Sequence, residues 1–264
     1  MKFIEKYKQI VRKNNSLLSV GLDSDINKLP GEFKSEKYLQ FMFNKYIIDQ
    51  THDLVCAYKP NSAFYEARGV DGMSELKMTV DYLKSKYPDI VTILDAKRAD
   101  IGNTNKGYVE YIFDYLGFDG VTVNPYLGKE ALEPFLDRQD KGIIVLCKTS
   151  NPGSSEFQDL AMGGEKLYQI VARRVVDWNL NHNCLLVVGA TYPSELAQIR
   201  KIAGDMVFLI PGIGEQGGDV EKTVKAGLNS TGDGMIINSA RGIIFSDNPR
   251  ESAKKLRDEI NDNK

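Results

Sequence analysis

Short apolar runs alternate along the chain with longer amphipathic stretches. The runs are LLSVGLD (17–23), LVCAYK (54–59), IVTILDAK (90–97), GVTVN (120–124), GIIVLCKTS (142–150), CLLVVGA (184–190), MVFLIPG (206–212) and GMIINSA (234–240). Each is rich in Val, Ile and Leu and nearly continuous, the pattern of a parallel strand covered on both faces. Between them lie YLQFMFNKYIIDQ, ELKMTVDYLKSKY, VEYIFDYLG, LEPFLD, EKLYQIVARRVVDWN, PSELAQIRKIA and VEKTVKAGLN, whose apolar residues recur at helical spacing. PRESAKKLRDEI predicts a closing helix, and MKFIEKYKQIVRK a helix before the first strand.

Eight β-then-α units imply right-handed crossovers and a parallel sheet. Eight units within 264 residues favour closure into a (β/α)₈ TIM barrel with an extra N-terminal helix. An open, doubly wound sheet is the structural alternative. No linker or low-complexity segment interrupts the pattern, so residues 1–264 are expected to form one domain.

Composition narrows the functional classes. The formal net charge is −2, with 42% hydrophobic and 27% charged residues. No global basic field would hold nucleic acid or an anionic membrane, so any anionic ligand depends on local donors. No run of 18 apolar residues predicts a membrane span, and the N-terminus lacks the apolar core of a signal peptide. Cys56, Cys147 and Cys184 each sit in or beside an apolar run, which predicts buried strand thiols and a reducing, cytoplasmic setting. With only His52 and His182, both near predicted helix ends, histidine acid–base or metal chemistry is not expected. The ionisable workers are then Lys, Asp, Glu or Arg.

Polar residues gather where the strands end. Asp23, Lys59 with Asn61, Asp95 with Lys97, Asn124, Lys148 with Thr149 and Ser150, Pro211 with Gly212, and Asn238 with Arg241 all lie at or just after C-terminal strand ends. Barrel enzymes carry their active sites on that face. The densest cluster follows the third strand, in Asp95-Ala-Lys97-Arg-Ala-Asp100-Ile-Gly-Asn-Thr104. Strand alternation puts Ile93, Asp95 and Lys97 on one face, a carboxylate beside an ammonium. A plain structural alternative is a buried Asp95–Lys97 ion pair followed by a helix cap from Asp100 or Asn103.

At these residues the chain resembles the orotidine 5′-monophosphate decarboxylases. The resemblance rests on DAKRADIGNT (95–104), GLD (21–23), YKPN (58–61), KTSNP (148–152), PGIGEQGGD (211–219) and Arg241. It spans the whole chain in order and is nearer to the longer branch found in some bacteria and apicomplexans. The resemblance implies decarboxylation of orotidine 5′-monophosphate to uridine 5′-monophosphate with no cofactor and no metal. It implies that Lys97 protonates C6 and that Asp95 lies near the departing carboxylate and holds Lys97. Lys59 and Asp23 would bind the ribose hydroxyls and extend the charge array, with Asn61 nearby. Asp100 and Thr104 would reach into a neighbouring subunit's site, making the enzyme a homodimer. Thr149 and Ser150 fit donors to the pyrimidine edge, or a polar turn.

Gly212, Gly214 and Gly217 form G-x-G-x-x-G after a strand and before a helix, formally a dinucleotide fingerprint. Only one βα unit remains beyond it, and the next strand ends at Asn238 rather than an acid, which argues against that reading. Loops after strands seven and eight commonly bind phosphate in barrels, and here Pro211, Gly212, Gln216 and Arg241 would do so. Two competing readings stand beside the decarboxylase. Related Mg²⁺-dependent barrels share D-x-K-x-x-D but need an acid near the second strand, where Lys59 would repel the ion. A non-catalytic phosphate-binding barrel would have no need of Lys97 between carboxylates.

Overall fold

The computed structural model describes residues 1–213 and 217–264. Among these, eight parallel strands close into a barrel: β1 Leu18–Val20, β2 Ala57–Tyr58, β3 Val91–Arg98, β4 Gly120–Val123, β5 Gly142–Lys148, β6 Cys184–Val188, β7 Phe208–Pro211 and β8 Met235–Ser239. Each pairs with its neighbours in sequence. Closure is made by β1, which pairs with β8 (Leu18↔Ile237, Val20↔Ser239) and with β2 (Val20↔Tyr58). No strand edge is left in the ring, so the predicted barrel holds and the open sheet is excluded.

The helices are α1 Phe3–Asn14, α2 Leu39–Thr51, α3 Gly69–Lys86, α4 Gly102–Val109, α5 Gly128–Leu136, α6 Leu167–Trp178, α7 Pro193–Ala203, α8 Val220–Gly227 and α9 Pro249–Asp262, with shorter helical turns between them. Their starts follow local chemistry. Asn248 caps α9 by accepting the Glu251 N–H, with Pro249 in the first turn, and Asp219 caps α8 by accepting the Lys222 N–H. No side chain caps α4; its N-cap is Ile101, so the cap considered for Asp100 or Asn103 is not formed.

The N-terminal helix determines which end of the barrel is open. Phe3, Tyr7, Ile10 and Val11 form its buried stripe. Phe3 lies against the first residues of β4 and β5, where a Cβ on Gly142 would come within 2.7 Å of the Phe3 ring. Tyr7 Oη donates to Met235 O at the start of β8. Helix α1 therefore covers the N-terminal ends of the strands, leaving the C-terminal ends for a ligand. All three cysteines are buried free thiols, as expected. No described helix is long and apolar enough to cross a membrane.

Candidate active site

The apolar strand interiors give way to charge at the barrel mouth. Asp95, near the end of β3, is held between two ammonium groups: Lys59 Nζ lies 2.9 Å from its Oδ2 and Lys97 Nζ 2.6 Å from its Oδ1. The Asp95 and Lys59 side chains are 13% and 4% exposed, whereas Lys97 is 48% exposed and reaches into the open cavity. Burial alone would raise the Asp95 pKa, but Lys59 and Lys97 outweigh it and hold the carboxyl below its ordinary range. Burial likewise opposes the Lys59 charge, yet Asp95 and Asp23 keep its pKa above the usual value. Asp23 goes the other way: burial pushes its carboxyl up, Lys59 opposes that, and the nearby Asp95 charge adds to it. Asp23 Oδ1 accepts the Asn61 backbone N–H at 3.1 Å, tying the β1 and β2 loops together.

Simple alternation does not account for the Asp95–Lys97 contact. Lys97 has φ 48°, in the left-handed region that L-residues other than Gly rarely enter. The β3–β4 register also shifts between Leu94 and Arg98. The two side chains meet as predicted, but at a bulged strand end rather than along a regular face.

The cavity of about 640 Å³ extends from this array to the β7 and β8 ends. That volume suits a small-molecule ligand. Its walls include Asp23, Lys59, Asn61, Asp95, Lys97, Thr149, Ser150, Pro211, Gly212 and Arg241, so most of the predicted residues converge. Gly212 has φ 101°, and the Gly218 N–H bonds its carbonyl at 3.1 Å, closing the neck of the glycine loop. Gln216 lies outside the described residues. The start of α8 is already occupied by its own Asp219 carboxylate; at this end it is Gly212, Arg241 and Gly242 that line the cavity.

At the end of β5, Lys148 is fully buried, with Nζ 3.0 Å from Asp159 Oδ2 and 4.6 Å from the centre of the Tyr192 ring. That pair holds the loop bearing Thr149 and Ser150. Gln158 grips Thr149 twice: its Oε1 accepts the Thr149 N–H at 2.9 Å, and its Nε2 donates to the Thr149 hydroxyl at 2.8 Å. Asp100 and Thr104 do not line the cavity of their own chain. Thr104 is exposed on the first turn of α4.

Several lining residues escaped the sequence reading: Thr122, Lys28, Gln158 and Phe245. Thr122 looks like any β-branched strand residue, and Lys28 and Gln158 like ordinary loop polarity. Two further polar lining groups had a signal: Asn238 by its place at a strand end, and Asn151 within KTSNP. Among the described residues no three His, Cys, Asp or Glu side chains group as metal ligands.

Fold and site together define a (β/α)₈ barrel with a charged ligand cavity at the C-terminal ends of its strands. The chain belongs to the orotidine 5′-phosphate decarboxylase / HUMPS family, whose model matches residues 17–256. It is 49% identical over 260 residues to an orotidine 5′-phosphate decarboxylase of Cellvibrio japonicus, covering 97% of this chain and 94% of that one. The solved Leishmania donovani OMP decarboxylase superposes with a TM-score of 0.89 at 38% identity, covering 99% of this chain and 98% of that one. Plasmodium berghei orotidine 5′-monophosphate decarboxylase gives 0.87 at 29% identity, covering 98% of both chains. These neighbours agree with the longer branch that the motifs indicated.

Proposed function

We infer that this protein decarboxylates orotidine 5′-monophosphate to uridine 5′-monophosphate, with residues 1–264 working as one barrel domain. The observation that carries the mechanism is Asp95 held between Lys59 and Lys97 in the wall of the cavity. The C6–carboxylate bond breaks, CO₂ leaves, and the electron pair stays on C6. A proton from Lys97 Nζ then goes to C6, and Lys97 is reprotonated from water. The pyrimidine ring delocalises such a carbanion poorly, so charge placement does the work and no cofactor or metal enters.

The magnitudes assign the shares. Asp95 repels a substrate carboxylate about 4 Å away by roughly 4 kcal/mol at an effective dielectric of 20. Enzymes as a class lower barriers by about 8–23 kcal/mol, so repulsion is a minor share. The larger share falls to the preorganised Lys97 ammonium facing the developing carbanion. Asp23 and Lys59 hold the ribose, with Asn61 nearby. Thr149 and Ser150 meet the pyrimidine edge, and Pro211, Gly212, Gln216 and Arg241 receive the phosphate. Binding energy from that remote phosphate orders the reacting end.

Asp100 and Thr104 complete the site of a second copy in a homodimer. Their absence from their own cavity supports this, as do the exposed apolar Ile101, Tyr126 and Leu127 on the segments following β3 and β4. Three buried free thiols fit a cytoplasmic setting; burial pushes the Cys56 thiol up to about 12.

The direct test follows the ultraviolet change of orotidine 5′-monophosphate with purified protein and EDTA. Turnover without added metal is expected, and loss of activity on chelation would favour a Mg²⁺-dependent barrel. Subunit sharing has its own test. Lys97→Ala and Asp100→Ala proteins, each inactive, are mixed under conditions that exchange subunits. Random reassortment of a two-fold dimer regenerates about a quarter of the sites. No recovery after verified exchange counts against sharing.

A further inference from the structure

Thr122 stands on β4 at 1% exposure, and its hydroxyl joins two parts of the charge array. It accepts the Lys97 backbone N–H at 2.9 Å and donates to Asp95 Oδ1 at 2.9 Å. An N–H can only donate, and the hydroxyl has one proton to give. The proton is therefore committed to the carboxylate, and the bridge has one polarity.

The strand geometry explains why a side chain is needed here. The β3–β4 register passes from Leu94↔Val121 to Arg98↔Val123, so β3 uses four residues where β4 uses two. Lys97 lies inside that irregularity at φ 48°, and its N–H finds its acceptor in a side chain rather than in the ladder. Thr122 is the β4 residue that faces this gap. Asp95 Oδ1 takes both the Thr122 hydroxyl and the Lys97 ammonium, so one side chain contacts the backbone of the lysine and the carboxylate that aims it.

We propose that Thr122 is the positioning residue of the reaction, a hydroxyl that fixes the Asp95 carboxylate relative to the left-handed Lys97 and so sets the direction of its ammonium. This rests on the reading in which Lys97 protonates C6. The two bonds of its hydroxyl go to Lys97 and Asp95, the groups assigned to the reacting centre, so its loss should act on turnover more than on binding.

The test replaces Thr122 with the near-isosteric valine in the full-length protein. Wild-type decarboxylation is measured first; its absence would defeat the assigned activity and leave the hydroxyl aside. Given wild-type activity, Thr122→Val should lower kcat by about tenfold or more, since a hydrogen bond to a charged group has gone. KM for orotidine 5′-monophosphate and the affinity for uridine 5′-monophosphate should stay within about twofold, because uniform binding is untouched. Thr122→Ser should restore most of kcat. If the valine protein does not fold, Thr122→Ser against Thr122→Ala isolates the same hydroxyl. A wild-type kcat in Thr122→Val, a serine variant no better than alanine, or a loss confined to KM would each overturn the proposal.

Discussion

The two ends of the cavity are built differently. At the β2–β3 end, Lys59, Asp95 and Lys97 stand on or directly after strands, and their contacts are already made at 2.6 and 2.9 Å. At the β5 and β7 end, several lining groups sit on loops: Thr149 and Ser150 on one, Gly212 on another. Chemistry that depends on where a charge points benefits from strand-borne rigidity, because a displaced ammonium stabilises a carbanion less. Binding and exclusion of water benefit from loops that can close over a ligand. On the proposed mechanism substitutions of the reacting groups at the first end act mainly on kcat, whereas those at the second end act first on KM, and on kcat so far as phosphate binding orders the reacting end.

The largest effect is expected at the charged end. Lys97→Ala removes the proton donor and the facing cation, and should lower kcat by on the order of 10⁴-fold. Lys59 still balances Asp95, so the variant should fold. Near-wild-type turnover in a folded Lys97→Ala protein would break the division between the ends.

Asp95→Asn tests the same end through stability. It leaves Lys59 buried beside Lys97 without their shared carboxylate. A destabilisation of about 2 kcal/mol near neutral pH is expected, below the roughly 3–5 kcal/mol of a fully buried broken pair because Lys97 is half-exposed and Asp23 still faces Lys59. The sign of the pH dependence follows from the depressed Asp95 pKa. The folded protein binds that proton less tightly than the unfolded chain, so the stabilisation is fully present above the ordinary value of 3.8. It fades as pH falls below 3.8 toward the depressed value. Denaturant melts of wild type and Asp95→Asn should therefore converge on acidification, and a constant gap would mean that the carboxylate charge is not the cause.

The same division marks what the sequence could reveal. The apolar runs located all eight strands and helical spacing most of the helices, because burial on both faces or on one stripe leaves a periodic trace. VEYIFDYLG, however, falls almost wholly on a π-helical segment, Glu110–Leu116, rather than on α4. The runs overshoot, however. LLSVGLD extends to Asp23 while β1 ends at Val20, and LVCAYK extends to Lys59 while β2 ends at Tyr58. Asp23 and Lys59, the last residues of these runs, lie past the ladder and line the cavity. Asp95, Lys97 and Lys59 were readable as charges in apolar surroundings. Thr122, the left-handed Lys97 and the Lys148–Asp159 pair were not, since each depends on register or on a contact across the fold that local pattern does not encode. Asp100 and Thr104 were picked out by motif alone, and one chain's geometry shows only that they do not line its own cavity.

At the loop end, Arg241→Ala should act on binding. Loss of charge-assisted contacts to a phosphate costs about 1.5–3 kcal/mol, or roughly 10- to 150-fold in kcat/KM. The loss should appear in KM and, because the phosphate also orders the reacting end, in kcat, and it should vanish when the unphosphorylated nucleoside is the substrate. An equal loss with the nucleoside would move Arg241 out of the phosphate role.

The smallest effect is expected where one loop residue holds another. Gln158 uses both ends of its amide on Thr149, bonding its backbone N–H and its hydroxyl. Gln158→Ala frees Thr149 but leaves Lys148 and Asp159 to keep the loop in place. Because Asn151 still accepts the Thr149 hydroxyl proton, only part of the local order is lost. KM should rise by about three- to tenfold, one net hydrogen bond's worth, with kcat unchanged. Gln158→Glu discriminates further: its carboxylate can accept the backbone N–H but cannot donate to the hydroxyl, so it should fall between wild type and alanine. If Gln158→Ala lowers kcat as strongly as it raises KM, the two ends are mechanically coupled, and the loop contributes to aiming Lys97 as well as to holding the substrate.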